Sequence, residues 1–215
     1  MSNISINIFD NAAQIINKKE VKTVKLESLI KVFSSTESRI ETPILPLNTI
    51  KYSEKGNSIS IILYHEQSIF TATYSDGTIF ENCVRPPMVI KYILNNDNGT
   101  FRINNSLAYG VVDDLLLINN DTQLFGLPFP NIGSDGWICW GSNTMSGNLK
   151  SLMGLRNYID RLFMAPFNNH IFNYSFLKNF GISTPQELFK SLQNIPVMPK
   201  HYLENLGRDF KLKTL

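Results

Sequence analysis

The chain opens with a period of two. In residues 3–9 (NISINIF) Ile4, Ile6 and Ile8 alternate with polar residues, which predicts a half-buried strand. The apolar stretch Ala12–Ile16, the charged turn Lys18-Lys19-Glu20 and the stretch Val21–Leu26 extend it to a small hairpin or meander. Then the period lengthens. Leu26, Leu29, Ile30 and Phe33 stand at i, i+3, i+4 and i+7, one face of a helix that starts near Lys25 and ends in Ser34-Ser35-Thr36. Pro43 and Pro46 bracket an extended connection. Strand patterns rich in β-branched and aromatic residues follow over 58–65, 68–74, 78–84, 88–94 and 100–103. Their separators are turn formers, Ser75-Asp76-Gly77 and Asn95–Gly99, with Pro86-Pro87 as a break, so the middle of the chain reads as an antiparallel meander. Residues 107–118 read less clearly, as a further strand followed by a bend. From Asn148 the apolar spacing is helical up to Phe163, ahead of Pro166. Thr184-Pro185-Gln186-Glu187 is a capping box with proline at the first helical position, which predicts a helix over 184–193. The tail from Pro196 is expected to pack loosely. The predicted class is α+β, a meander with helices segregated to its flanks. Three parts are expected: an N-terminal β extension over 1–24, a main domain over 25–172, and a C-terminal helical extension and tail over 173–215.

One stretch fits neither period. Residues 124–143 (LFGLPFPNIGSDGWICWGSN) hold two of the ten prolines, four of the twelve glycines, both tryptophans and one of the two cysteines. Gly and Pro at that density exclude a regular helix, while Leu127, Phe129, Ile132, Trp137, Ile138 and Trp140 exclude a solvated linker. A stiff, partly buried loop carrying a thiol is a place to look for chemistry.

Composition narrows the classes. Twenty Lys+Arg against eighteen Asp+Glu give a net charge of +2, too balanced for a nucleic-acid footprint. No apolar run reaches membrane-spanning length, and the N-terminus lacks the basic start and apolar stretch of a secretory signal, so a cytoplasmic location is expected. There Cys83 and Cys139 are expected as free thiols. They form no metal-ligand spacing, and no cofactor is expected. Cys83 ends a strand pattern and reads as packing. His65 and His201 have no partner in the sequence and read as structural. Asp113-Asp114 reads as a solvated bend.

The run F-P-N-I-G-S-D-G-W-I-C over 129–139 resembles the active-site segment of ubiquitin-conjugating enzymes, in which His-Pro-Asn leads through a turn to a Gly-X-Ile/Val step and the catalytic cysteine. Pro130 and Asn131 match the Pro-Asn pair, Gly136, Ile138 and Cys139 match the approach to the cysteine, and the eight-residue offset from Asn131 to Cys139 agrees. The His position carries Phe129, and Trp140 follows the cysteine where eukaryotic members usually carry Leu. The closer resemblance is to the divergent bacterial branch, PRTRC system protein B or prokaryotic ubiquitin-conjugating enzyme family D. Gly141 and Ser142 fit the residues that follow the cysteine in that branch, and Phe163–His170 (FMAPFNNH) fits its downstream segment, with Phe167 and His170 in matching positions. The resemblance covers roughly 25–172. It implies a carrier that accepts a ubiquitin-like modifier as a thioester on Cys139. The implied partners are that modifier, a ThiF-like activating enzyme and a JAB-type peptidase, within mobile-element or defence gene sets.

The residues suit that chemistry on their own terms. A cysteine thiolate can hold a carboxyl group as a thioester and release it to an amine. No Lys, Arg or His lies within five residues of Cys139, which suits transfer from another thioester better than hydrolysis. The Asn131 amide would stabilise an oxyanion or brace the loop. Asp135 would orient or deprotonate an incoming amine, and His170 would line the site. Three rivals stay open: a conjugating-like module that binds without forming a thioester, an unrelated cysteine hydrolase, and a structural component of a larger complex.

Overall fold

The opening alternation becomes a three-stranded antiparallel sheet: β1 (Ile4–Phe9), β2 (Ala12–Asn17) and β3 (Glu20–Lys25). Phe9 pairs with Ala12 and Asn17 with Glu20. The structure, a computed structural model, describes residues 4–9, 12–17, 20–25, 43–141, 148–172 and 174–215. The chain divides into two units, Met1–Thr42 and Pro43–Leu215. The helix predicted over Leu26–Phe33 lies outside the described residues.

In the second unit, β4 (Thr49–Lys55) and β5 (Ser58–His65) form a hairpin; β6 (Ser68–Thr73) and β7 (Ile79–Arg85) form another. They are followed by β8 (Met88–Asp97), β9 (Thr100–Gly110), the short β10 (Phe125–Gly126), and much later β11 (Glu204–Asn205). The main sheet has the order β11-β10-β9-β8-β5-β4 with antiparallel neighbours, and β6-β7 stands apart from it. β4 was not expected: Lys51-Tyr52-Ser53-Glu54-Lys55 is a polar edge with little apolar alternation to reveal it.

Both faces of the sheet are covered, and the strict side-chain period of two sorts the residues. Ile59, Ile61 and Leu63 of β5 join one apolar cluster, while Ile62 and Tyr64 join a second. In β8, Met88, Ile90, Tyr92 and Leu94 enter the first cluster and Val89 the second. The β6–β7 hairpin and two helices cover the first face. α1 (Tyr158–Met164) packs on β6 and α2 (Pro185–Leu192) on β7. Phe70, Phe163, Phe167 and Phe189 interlock there, with centroids 4.7 Å apart for Phe70–Phe163 and 4.8 Å for Phe167–Phe189.

The expectations for the C-terminal third are corrected in two places. The helix predicted over 148–164 is shorter. Leu149 instead exchanges backbone hydrogen bonds with Phe101, 2.8 Å each way. A 3-10 segment, Leu152–Asn157, then leads into α1. The tail does not pack loosely. Met198, Leu203 and Leu212 are buried, β11 pairs with β10, and Leu212 joins Phe210 and Leu215 over the second sheet face. α2 forms as predicted. The Thr184 hydroxyl accepts from Glu187 N, and the Glu187 carboxylate accepts from Thr184 N. No helix of the described residues is long and apolar enough to cross a membrane.

Candidate active site

The 129–140 loop is held by its own backbone. Pro130 sits second in a turn closed by Ile132 N donating to Phe129 O at 2.9 Å, where proline's fixed φ costs nothing. The segment then closes on itself as a small hairpin. Cys139 N donates to Asn131 O (2.8 Å), Gly133 N to Trp137 O (2.8 Å) and Gly136 N to Gly133 O (2.9 Å), and Ile132 pairs with Ile138. Gly136 has φ +81°, and a Cβ there would stand 2.4 Å from Cζ of Tyr109, so conformation and space both demand glycine. Three further bonds tie the loop to β9, on the side away from β8. Ala108 N donates to Gly136 O (2.8 Å), Ile138 N to Ser106 O (3.1 Å), and Trp140 Nε1 to Ser106 Oγ (2.8 Å).

Phe129 anchors the loop from below. It is 1% exposed and meets Phe163 edge-to-face at 5.0 Å and 88°, and Phe70 at 5.9 Å and 81°. The position that carries histidine in the ubiquitin-conjugating pattern is therefore part of the apolar core here.

Asn131, Cys139 and His170 line one cleft of about 380 Å³, together with Ser75, Trp140 and Asn168. Three segments meet to make it. The cysteine loop forms one wall, the turn after β6 another, and the stretch following α1 the third. Pairing of Tyr74 with Phe167 joins the last two. Phe167 N donates to Thr73 O at 2.7 Å, and Ser75 N donates to Phe167 O at 2.8 Å. Phe167 is fully buried and locks the post-helix stretch, leaving His170 exposed at the mouth, where its backbone N–H donates to Asn168 Oδ1 (2.9 Å).

Cys139 is partly exposed and free. Asn131 is 9% exposed and lines the cleft beside it. The remaining expected site residues stand elsewhere. Pro130 and Gly136 shape the loop. Asp135 is exposed on the turn, where its Oδ1 accepts from Trp137 N at 3.0 Å, and it is not among the residues lining the cleft. Gly141 borders the cleft and Ser142 lies outside the described residues. Cys83, by contrast, is fully buried. Burial pushes its thiol up to about 11, and its Sγ donates to Phe80 O at 3.4 Å. Ser75 and Asn168 were not expected. In the sequence each is an ordinary turn residue, and only the Tyr74–Phe167 pairing brings them to the cysteine.

A family model described as prokaryotic E2 family D matches residues 25–206. No curated protein and no solved structure gives a significant match.

Proposed function

The chain belongs to prokaryotic E2 family D, and from that premise we propose that it carries a ubiquitin-like modifier as a thioester on Cys139 and passes it to an amine. The Cys139 thiolate attacks the carbonyl of a modifier already held as a thioester by an activating enzyme of the ThiF type. The S–C bond to the activating enzyme breaks, and that enzyme's cysteine leaves as a thiolate. An amine then attacks the new thioester. Cys139 leaves as a thiolate, and the amine proton passes to a base or to water. The Asn131 amide donates to the oxyanion formed at each attack. His170, at the mouth, takes the proton of the incoming amine. Asp135 sets the turn through Trp137 N, and Gly136 and Pro130 set the loop. A JAB-type peptidase is the expected companion that would reverse the modification.

The observation that carries this reading is the convergence of Cys139 and Asn131, from one loop, and His170, from the stretch after α1, on one cleft. The test is incubation with the cognate modifier, activating enzyme and ATP, followed by a non-reducing gel. An adduct is expected that thiol removes and Cys139→Ala abolishes. Replacing Cys139 with serine should give an ester that survives mild thiol treatment. Asn131→Ala should slow discharge to an amine by roughly tenfold to a thousandfold while loading persists.

A second reading, a module that docks a modifier without chemistry, draws on Phe129. Binding without any adduct, undiminished in Cys139→Ala, would establish it.

A further inference from the structure

A second cavity lies away from the cysteine, at the ends of β5 and β7. His65 closes β5 opposite Met88, Arg85 closes β7 opposite Ser68, and the segment entering α1 supplies Arg156 and Asp160. These residues and Asn48 line a space of about 440 Å³, within the range of small-molecule sites.

Three of its buried polar atoms are left without partners. His65 is 6% exposed and Arg85 8%. His65 Nε2, Arg85 Nη1 and Asn48 Oδ1 are buried and make no hydrogen bond to any described residue. The Arg85 guanidinium lies over the Phe163 ring, 5.4 Å from its centroid, which fixes its plane. No carboxylate reaches it within ion-pair distance among the described residues, and Asp160 acts on it only from farther off. A guanidinium has five donors and no acceptor, and burying one without acceptors is costly. The two arginines also act on His65. Burial first, and then the charges of Arg85 and Arg156, hold its imidazole down to about 3. Arg85, Arg156 and His65 thus present donors to one cavity, whose lining also holds the carboxylates Glu66 and Asp160, and planar forks of this kind match oxyanions.

We propose that this cavity binds a small oxyanion, a phosphoryl or carboxylate group, between Arg85 and Arg156 with a further hydrogen bond from His65. The site is independent of Cys139.

Titration of the full chain followed by NMR tests it, with inorganic phosphate, succinate and sodium chloride at matched ionic strength. Saturable shifts are expected at the His65 ring and at the amides of Ser68, Arg85 and Arg156. They should appear with phosphate or succinate and not with chloride. Phosphate as the tighter ligand assigns a phosphoryl group, and succinate a carboxylate. Arg85→Gln should weaken binding by roughly tenfold or more. Arg156→Gln, at an exposed position that leaves the core intact, should weaken it a few-fold, and it decides the matter should Arg85→Gln not fold. Cys139→Ala should leave the titration unchanged. Equal shifts with chloride, shifts that do not saturate, or oxyanion affinity unaltered in Arg156→Gln would overturn the proposal.

Discussion

The neutral, buried His65 makes the stability of this fold depend on pH in a window where most side chains are silent. Its imidazole is held at about 3 against an ordinary 6.5, by burial first and then by Arg85 and Arg156. Above pH 6.5 it is neutral whether the chain is folded or not, and it contributes no slope. Below 6.5 the unfolded chain binds a proton that the folded protein refuses. Unfolding is therefore favoured as pH falls, by about 1.4 kcal/mol per pH unit, until the folded state also protonates near pH 3. From pH 7 to pH 5 the loss is about 2 kcal/mol, a sizeable part of the stability of an ordinary domain. Because the folded value lies well under 5, this figure depends almost entirely on the unfolded one. Urea denaturation at pH 7 and pH 5 measures it, and His65→Gln isolates it. The other histidines and the carboxylates are common to both proteins and cancel in the difference. Wild type should lose about 2 kcal/mol more than His65→Gln over that interval. An equal loss in both would refute the reasoning, since it would mean that His65 takes up its proton in the folded state.

Three further outcomes follow from single positions. Gly136→Ala places a Cβ on the buried Tyr109 ring at φ +81°; it should cost about 1–3 kcal/mol by thermal melting and change the alkylation rate of Cys139. Tyr92→Phe removes a fully buried hydroxyl that has no partner among the described residues, so the variant should be more stable by about 1 kcal/mol in urea. Phe129→His puts an imidazole among Phe70 and Phe163; stability should fall by about 2–3 kcal/mol, and thioester formation should not rise.

How much of this was legible depended on whether a residue's partners were local. β5 and β8 could be read directly, because Ile and Leu at every second place leave few other structures open. The Thr184 box could be read because a cap is made within four residues. β4 could not, since an edge strand needs only one buried neighbour and tolerates Lys51, Glu54 and Lys55. The helix over 148–164 was overdrawn because Leu149 carries the right spacing yet is taken by Phe101, a pairing that no window of the sequence contains. Met198, Leu203 and Leu212 follow no period, so their burial against the sheet left no trace in the pattern. The site divides the same way. Asn131 and Cys139 share a loop and could be paired from spacing, and His170 was reached through family resemblance. Ser75 and Asn168 reach the cleft through the Tyr74–Phe167 bridge, a tertiary fact.

The same division bears on Phe129. In the family pattern a histidine precedes Pro-Asn, and its loss would matter most if the loop depended on an imidazole hydrogen bond. Here the loop's shape rests on backbone bonds within 129–139 and on three bonds to Ser106, Ala108 and their strand. The side chain at 129 faces the phenylalanine core, whereas Cys139 and Asn131 face the cleft. Exchanging an imidazole for a benzyl ring thus trades one anchor for another on the buried side. It leaves the open side of the loop, where Asn131 and Cys139 line the cleft, unchanged. Asn131 and Cys139 thus line the same cleft from one backbone-held loop, the arrangement on which the proposed thioester chemistry rests.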